Sequence, residues 1–190
     1  TSSTLVVAIL GAFSEWLKLP LGKYDIAHYA YEIERVDLKM AGGKQDQYAA
    51  TFGGVNFMEF LADDRVIVNP LRIDEDILRE WAMNTVLFYT DQQRCSANII
   101  EEQAENVKKQ NSDSLEAMHN VKKEAFRMKN CLLRDELWEL GKALNTSWES
   151  KKKMARHISN EFIDQIYETA IANGALGGKI SGAGGGGFMF

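Results

Sequence analysis

Residues 40–54, MAGGKQDQYAATFGG, decide the reading of this chain. The stretch carries one acid, Asp46, between the glycine pairs Gly42-Gly43 and Gly53-Gly54. An ordinary surface loop needs no such arrangement. A loop that brings its backbone close to a ligand and aims one carboxylate at it does, because glycine has no Cβ to hold the ligand off. A short helix is expected inside it, over Gln45 to Thr51.

Upstream, Tyr24 to about Val36 reads as a helix. On it Glu34 shares a face with Tyr31, Ala30 and Ala27, while Glu32 lies about 200° away and points to solvent. A carboxylate on the apolar face is costly unless a cation or hydrogen-bond donors meet it. A metal ion would meet it, and so would a buried Arg. One helix end separates Glu34 from Asp46, so both acids can serve one site. Mg²⁺ takes few carboxylates plus phosphate oxygens, which suits such a pair.

Further upstream, Thr1-Ser2-Ser3-Thr4 opens a helix expected to run to Leu19. Free N–H groups and the positive end of the helix dipole favour an anion there, and the hydroxyls add phosphate donors or a Mg²⁺ ligand. The plainer alternative is an ordinary N-cap. Downstream, a hairpin is expected over Val55–Leu61 and Arg65–Asn69, turning at Ala62-Asp63-Asp64. A boundary near residues 70 to 76 then separates a loop-bearing part (1–75) from a helical part (76–190).

In the second part Asp74 caps a helix to Met83, and TVLFYT (85–90) reads as a short buried strand. From Asp91 to about Leu144 the pattern is helical and interrupted at Asn111-Ser112-Asp113. Core helices explain it better than a coiled-coil interaction module over 92–145. A helix over Ser159–Asn173 ends at Gly174. The chain then reads KISGAGGGGFMF. Gly182-Ala183-Gly184-Gly185-Gly186-Gly187 satisfies GxGxxG by letter, but a helix precedes it and a strand-like Phe-Met-Phe follows, the reverse of the dinucleotide fingerprint. Four consecutive glycines point to close backbone approach, or else to a flexible tail.

Bulk properties narrow the class. The 190 residues are 45% hydrophobic and 26% charged, with net charge −5. That suits a packed protein of one or two small domains and gives no basic stripe for nucleic acid. Lys151-Lys152-Lys153 reads as a solvated helix face. Cys95 and Cys131 lack CxxC spacing, which fits free thiols in a reducing compartment. No apolar run reaches the roughly 20 residues that span a bilayer. The apolar start lacks the basic flank of a signal peptide, so the cytoplasm is expected and no membrane partner. His28, His119 and His157 have no site-like spacing. Both ends look cut: there is no initiator Met, and the chain stops within a strand.

A hydroxyl-rich helix start, an inward Glu, a loop Asp and a glycine-rich turn are the parts of a phosphoryl transferase. GGKQDQ (42–47), KISGAGGGG (179–187) and TSST (1–4) resemble the galactokinase, homoserine, mevalonate and phosphomevalonate (GHMP) kinases. TSSTLVVA, YEIERVDL, GGKQDQYAATFGG and KISGAGGGGFMF are most similar to D-glycero-D-manno-heptose 7-phosphate kinases, and fucokinases carry a related GGxQDQ loop. The resemblance implies an α+β, two-lobed fold, ribosomal S5 domain 2-like then ferredoxin-like. It implies ATP and Mg²⁺, a sugar phosphate substrate and phosphorylation of an anomeric hydroxyl; a homodimer is an expectation.

Carried over, Thr1, Ser2, Ser3 and Thr4 contact phosphates, and Ser3 or Thr4 helps Glu34 hold Mg²⁺. Asp46 is the catalytic Asp that takes or orients the hydroxyl proton, Gly42, Gly43, Lys44, Gln45 and Asp46 meet the sugar, and Gly182, Ala183, Gly184, Gly185 and Gly186 line the nucleotide. Lys44 meets a substrate phosphate or is a solvated loop residue. The family's Gly-Leu-Gly before Thr1, its N-terminal part and its last strand and helix are absent, so half a nucleotide site and no activity are expected of this stretch alone. A sugar-binding protein on a dead kinase fold is the rival of another class.

Overall fold

The computed structural model describes residues 2–91 and 96–190; Thr1 and residues 92–95, Cys95 among them, lie outside the described residues, as does the side chain of Ser2. The architecture is α+β, with helices and two separate two-stranded antiparallel sheets in two compact units, Thr1–Leu71 and Arg72–Phe190.

The first unit holds α1 (Ser2–Leu17), α2 (Lys23–Tyr31), α3 (Gln45–Phe52) and the hairpin β1 (Asn56–Phe60) and β2 (Val66–Pro70). The hairpin register runs from Asn56↔Pro70 to Phe60↔Val66, and Asp64 takes the left-handed conformation its turn requires. Ala27 and Ala30 of α2 are fully buried; Ala27 forms a small core with Tyr48 of α3 and Val68 of β2. Small residues on α2 let α3 approach closely. Tyr24 ties the helices to the hairpin: its ring meets Phe52 edge-on at 4.9 Å, and its hydroxyl accepts from Val68 N at 3.0 Å.

The helix expected over residues 24–36 changes pitch. After Tyr31 it widens into a π-helical segment, Glu32–Asp37, and Leu38 N donates to Ile33 O at 3.0 Å, five residues back. Wider turns of this kind cluster at functional sites. Glu34 sits inside this one and is buried. Glu32 is half exposed and pairs with His28.

The second unit holds α4 (Glu75–Met83), β3 (Phe88–Tyr89), α5 (Ser96–Lys108), α6 (Ser112–Leu133), α7 (Leu137–Lys152), α8 (Glu161–Ala172) and β4 (Phe188–Met189). Asp74, Asn111 and Asn160 cap α4, α6 and α8 by accepting from the backbone of Asp76, Ser114 and Ile163. Trp148, Ile158, Ile163, Tyr167, Ile180 and Met189 form its core. Gly174 follows α8 at φ +100°, the conformation that ends a helix without a Cβ clash.

Three expectations change here. TVLFYT is not a buried strand: only Phe88 and Tyr89 pair, with Met189 and Phe188, and Val86 and Leu87 are 77% and 68% exposed. Apolar composition alone does not say which face is covered. The repeat of Met118, Val121, Ala125, Met128 and Leu132, which predicts the buried stripe of α6, is also shifted. Ala125 is exposed while Glu124 is buried, its carboxylate paired with Arg127. The lysine triplet is not simply solvated: Lys151 donates to Gly182 O, and Lys152 pairs with Glu149 and Asp164. Cys131 is buried and unbridged, and burial pushes its thiol pKa up.

Candidate functional site

Three buried polar side chains meet in the first unit, each from a different element. Ser3 lies in the first turn of α1, Glu34 in the π-helical segment and Gln47 in the first turn of α3; they are 1%, 1% and 0% exposed. Gln47 joins the other two. Its Nε2 donates to Glu34 Oε2 at 2.5 Å and to Ser3 Oγ at 3.4 Å. Its Oε1 is buried without a hydrogen-bond partner. Leaving a buried amide oxygen unpaired costs roughly 1–3 kcal/mol.

The donor set suits a hard cation. Serine hydroxyl, carboxylate and amide oxygen are the ligand types Mg²⁺ accepts. Among the described residues no three His, Cys, Asp or Glu side chains gather around a metal position. A Mg²⁺ ion held by this group would complete its shell with water and phosphate oxygens.

The loop ahead of α3 is pinned by its own neighbours. Gly42, at φ +150°, lies against the Arg35 guanidinium, where an added Cβ would come within 2.7 Å of Cζ. Arg35 Nε donates to Gly43 O at 3.2 Å. Lys44 is not solvated: its side chain is 15% exposed, it forms an ion pair with Asp64 of the hairpin turn, and its Nζ lies 4.7 Å from the Tyr31 ring centre. Lys44 holds the Asp64 carboxyl below its usual range. Gln45 and Asp46 are exposed, with Asp46 in the first turn of α3 beside buried Gln47. Thr4 is exposed too, whereas Ser3 turns inward.

The glycine-rich turn belongs to the second unit. It is no loose tail. Gly182, Gly184, Gly185, Gly186 and Gly187 all have positive φ, and Gly185 N donates to Ile158 O at 2.8 Å. A Cβ on Gly184 would come within 2.7 Å of Ile158 O. Ala183 packs on the core, and Thr90 donates to Gly187 O through both its amide and its hydroxyl, at 2.9 Å each. Lys179, in the same motif, is partly buried, and desolvation lowers its pKa.

Ser3 and Glu34 are thus brought together, with Asp46 one residue from the group that joins them. Gln47 is absent from the sequence-based site. Its signal was its position: in a helix starting at Gln45, it precedes Tyr48 on the buried side. Thr1 lies outside the described residues.

The GHMP kinases N terminal domain model matches residues 1–54, and the GHMP kinases C terminal model matches residues 128–190. The chain is 54% identical over 189 residues to the D-glycero-alpha-D-manno-heptose 7-phosphate kinase of Campylobacter jejuni, covering 100% of this chain and 55% of that protein. A crystal structure of a D-glycero-D-manno-heptose 1-phosphate kinase from Bacteroides thetaiotaomicron is 42% identical and superposes with a TM-score of 0.75, covering 100% of this chain and 50% of that one. The L-fucokinase/L-fucose-1-P guanylyltransferase of Bacteroides fragilis is 26% identical, covering 100% of this chain and 20% of that protein. The chain therefore spans about half the length of the two heptose-kinase relatives. Both domain models match in chain order, and the likeness to these kinases runs from end to end: the chain belongs to the GHMP kinase family.

Proposed function

We propose that this chain carries part of the active site of an ATP-dependent sugar kinase. Its reaction is phosphorylation of the anomeric hydroxyl of D-glycero-D-manno-heptose 7-phosphate, giving the 1,7-bisphosphate for nucleotide-activated heptose and surface polysaccharide. The observation that carries this reading is the buried group of Ser3, Gln47 and Glu34 at the start of α1. First-turn N–H groups of α1 and the hydroxyls of Ser2, Ser3 and Thr4 bind phosphate oxygens there. Ser3 and Glu34 would hold Mg²⁺, which would supply charge neutralisation for the phosphate oxygens.

Asp46, exposed on the first turn of α3, takes or orients the proton of the attacking hydroxyl. The sugar oxygen bonds to the γ-phosphorus, the bond to the bridging oxygen breaks, and ADP leaves. Gly42, Gly43, Lys44 and Gln45 meet the sugar, and Gly182 to Gly186 contact the nucleotide. A substrate phosphate reaching Lys44 has to displace Asp64. A kinase drawing on the ATP pool to supply nucleotide-activated sugar works in the cytoplasm.

The test is ATP consumption by the intact gene product with Mg²⁺, against heptose 7-phosphate, heptose 1-phosphate, fucose, galactose and mannose. Turnover with heptose 7-phosphate alone is expected. Turnover with heptose 1-phosphate or free fucose keeps the chemistry and moves the substrate. Saturable sugar binding without turnover overturns the kinase reading.

A further inference from the structure

Gln47 is the residue that holds Ser3 and Glu34 in one place, yet half of its amide has no partner. Nε2 sits between two oxygens, a carboxylate and a hydroxyl, as a cation would. Oε1 is fully enclosed and unbonded. The orientation follows from chemistry: turned over, Oε1 would face the Glu34 carboxylate at 2.5 Å, oxygen against oxygen. That opposition disappears once a cation lies between them. With the amide turned over, Gln47 Oε1, Glu34 Oε2 and Ser3 Oγ would all be cation donors, and the bound cation would offset the cost of moving the NH₂ to the enclosed side.

We infer that Gln47 is a positioning residue of the divalent-cation site, its NH₂ holding Glu34 and Ser3 when no cation is bound and its amide turning over to present Oε1 when one is. The inference rests on the proposed role of Ser3 and Glu34. It concerns a residue beyond that pair. Gln47 is rooted in the same helical turn as Asp46, so the cation and the catalytic carboxylate are tied through one rigid element.

The experiment is titration of Mn²⁺ alone, followed by the loss of the free-ion paramagnetic resonance signal, on the intact protein and its Gln47→Met, Gln47→Glu and Glu34→Gln variants. Melting temperature is recorded for each with and without Mn²⁺. Gln47→Met removes the oxygen at similar volume and is expected to weaken Mn²⁺ about tenfold or more, the effect typical of lost site-supporting groups. Gln47→Glu opposes two carboxylates without metal. It is expected to melt lower than the parent without Mn²⁺, and to gain more from Mn²⁺ than the parent does.

If Gln47→Met does not fold, Gln47→Glu decides alone. Mn²⁺ affinity that falls with Glu34→Gln but is unchanged by both Gln47 variants overturns this inference and leaves the kinase reading standing. Tighter binding by Gln47→Met makes the amide a mere competitor and overturns it as well. Absence of Mn²⁺ binding by the parent protein overturns the metal site itself and this inference with it.

Discussion

The two glycine stretches solve different problems. At Gly42 the missing side chain makes room for the chain's own Arg35, which also donates to Gly43 O, and the loop then enters a helix that exposes an acid and buries an amide. At Gly184 the missing side chain admits the backbone of Ile158, and the turn then enters a two-residue strand. In the first stretch glycine frames polar side chains. In the second it lets one backbone segment pack directly on another. The lesson is that a glycine run marks a close approach without saying to what, and the first partner to look for is the protein.

Changes in each stretch can break that contrast. The largest effect is expected from Asp46→Asn in the intact enzyme: kcat falls roughly 10³-fold with little change in sugar affinity, the loss typical of a removed proton acceptor. Steady-state kinetics with a circular dichroism check decides this, and parallel loss of fold and activity would refute the assignment. Next is Gly184→Ala. Its Cβ meets backbone rather than a movable side chain, at φ +118°, so a loss on the order of 3 kcal/mol is expected in denaturant titration.

Tyr167→Phe comes third. Burial pushes the Tyr167 pKa up to about 12, and its hydroxyl donates to Asn145 Oδ1 at 2.5 Å. Because the folded pKa lies above the unfolded value of 10.0, the stabilisation is complete below pH 10 and is lost as pH rises through about 12. At neutral pH the Phe variant is expected to be ~1 kcal/mol less stable. The gap should close as pH climbs from 10 to 12; a constant gap would contradict the shift.

Lys179→Met follows. A lysine whose pKa is lowered by burial opposes folding while charged, and that cost is relieved as pH rises toward its ordinary value. The Met variant is expected to gain up to about 1 kcal/mol at neutral pH, a gain that shrinks in alkali. Smallest is Gly43→Ala. Nothing lies within 4 Å of its Cβ position, so stability should hold within ~0.5 kcal/mol. A change in sugar affinity at constant stability would show that this glycine faces the substrate.

Much of the fold was legible because its signals are local. The hairpin came from two strand-like runs separated by Ala62-Asp63-Asp64, the start of α4 from Asp74, and the end of α8 from Gly174; α8 itself starts two residues later than the expected Ser159, after the Asn160 cap. Each depends on a backbone preference a few residues long. The inward side of Glu34 followed from helical periodicity, and burial bears it out even though the helix widens around it.

What the sequence determined by itself was therefore composition and local geometry: the α+β class, the helix and hairpin positions, the burial of Glu34 and the motifs that carry the family likeness. Tertiary structure alone decided the partners. That Gln47 bridges Ser3 and Glu34, that Lys44 pairs with Asp64, that Lys151 reaches Gly182 and that residues 85–87 form no strand all depend on segments tens of residues apart. The physical reason is that periodicity reports which side of an element faces inward, whereas a hydrogen bond depends on which other element arrives there and at what distance.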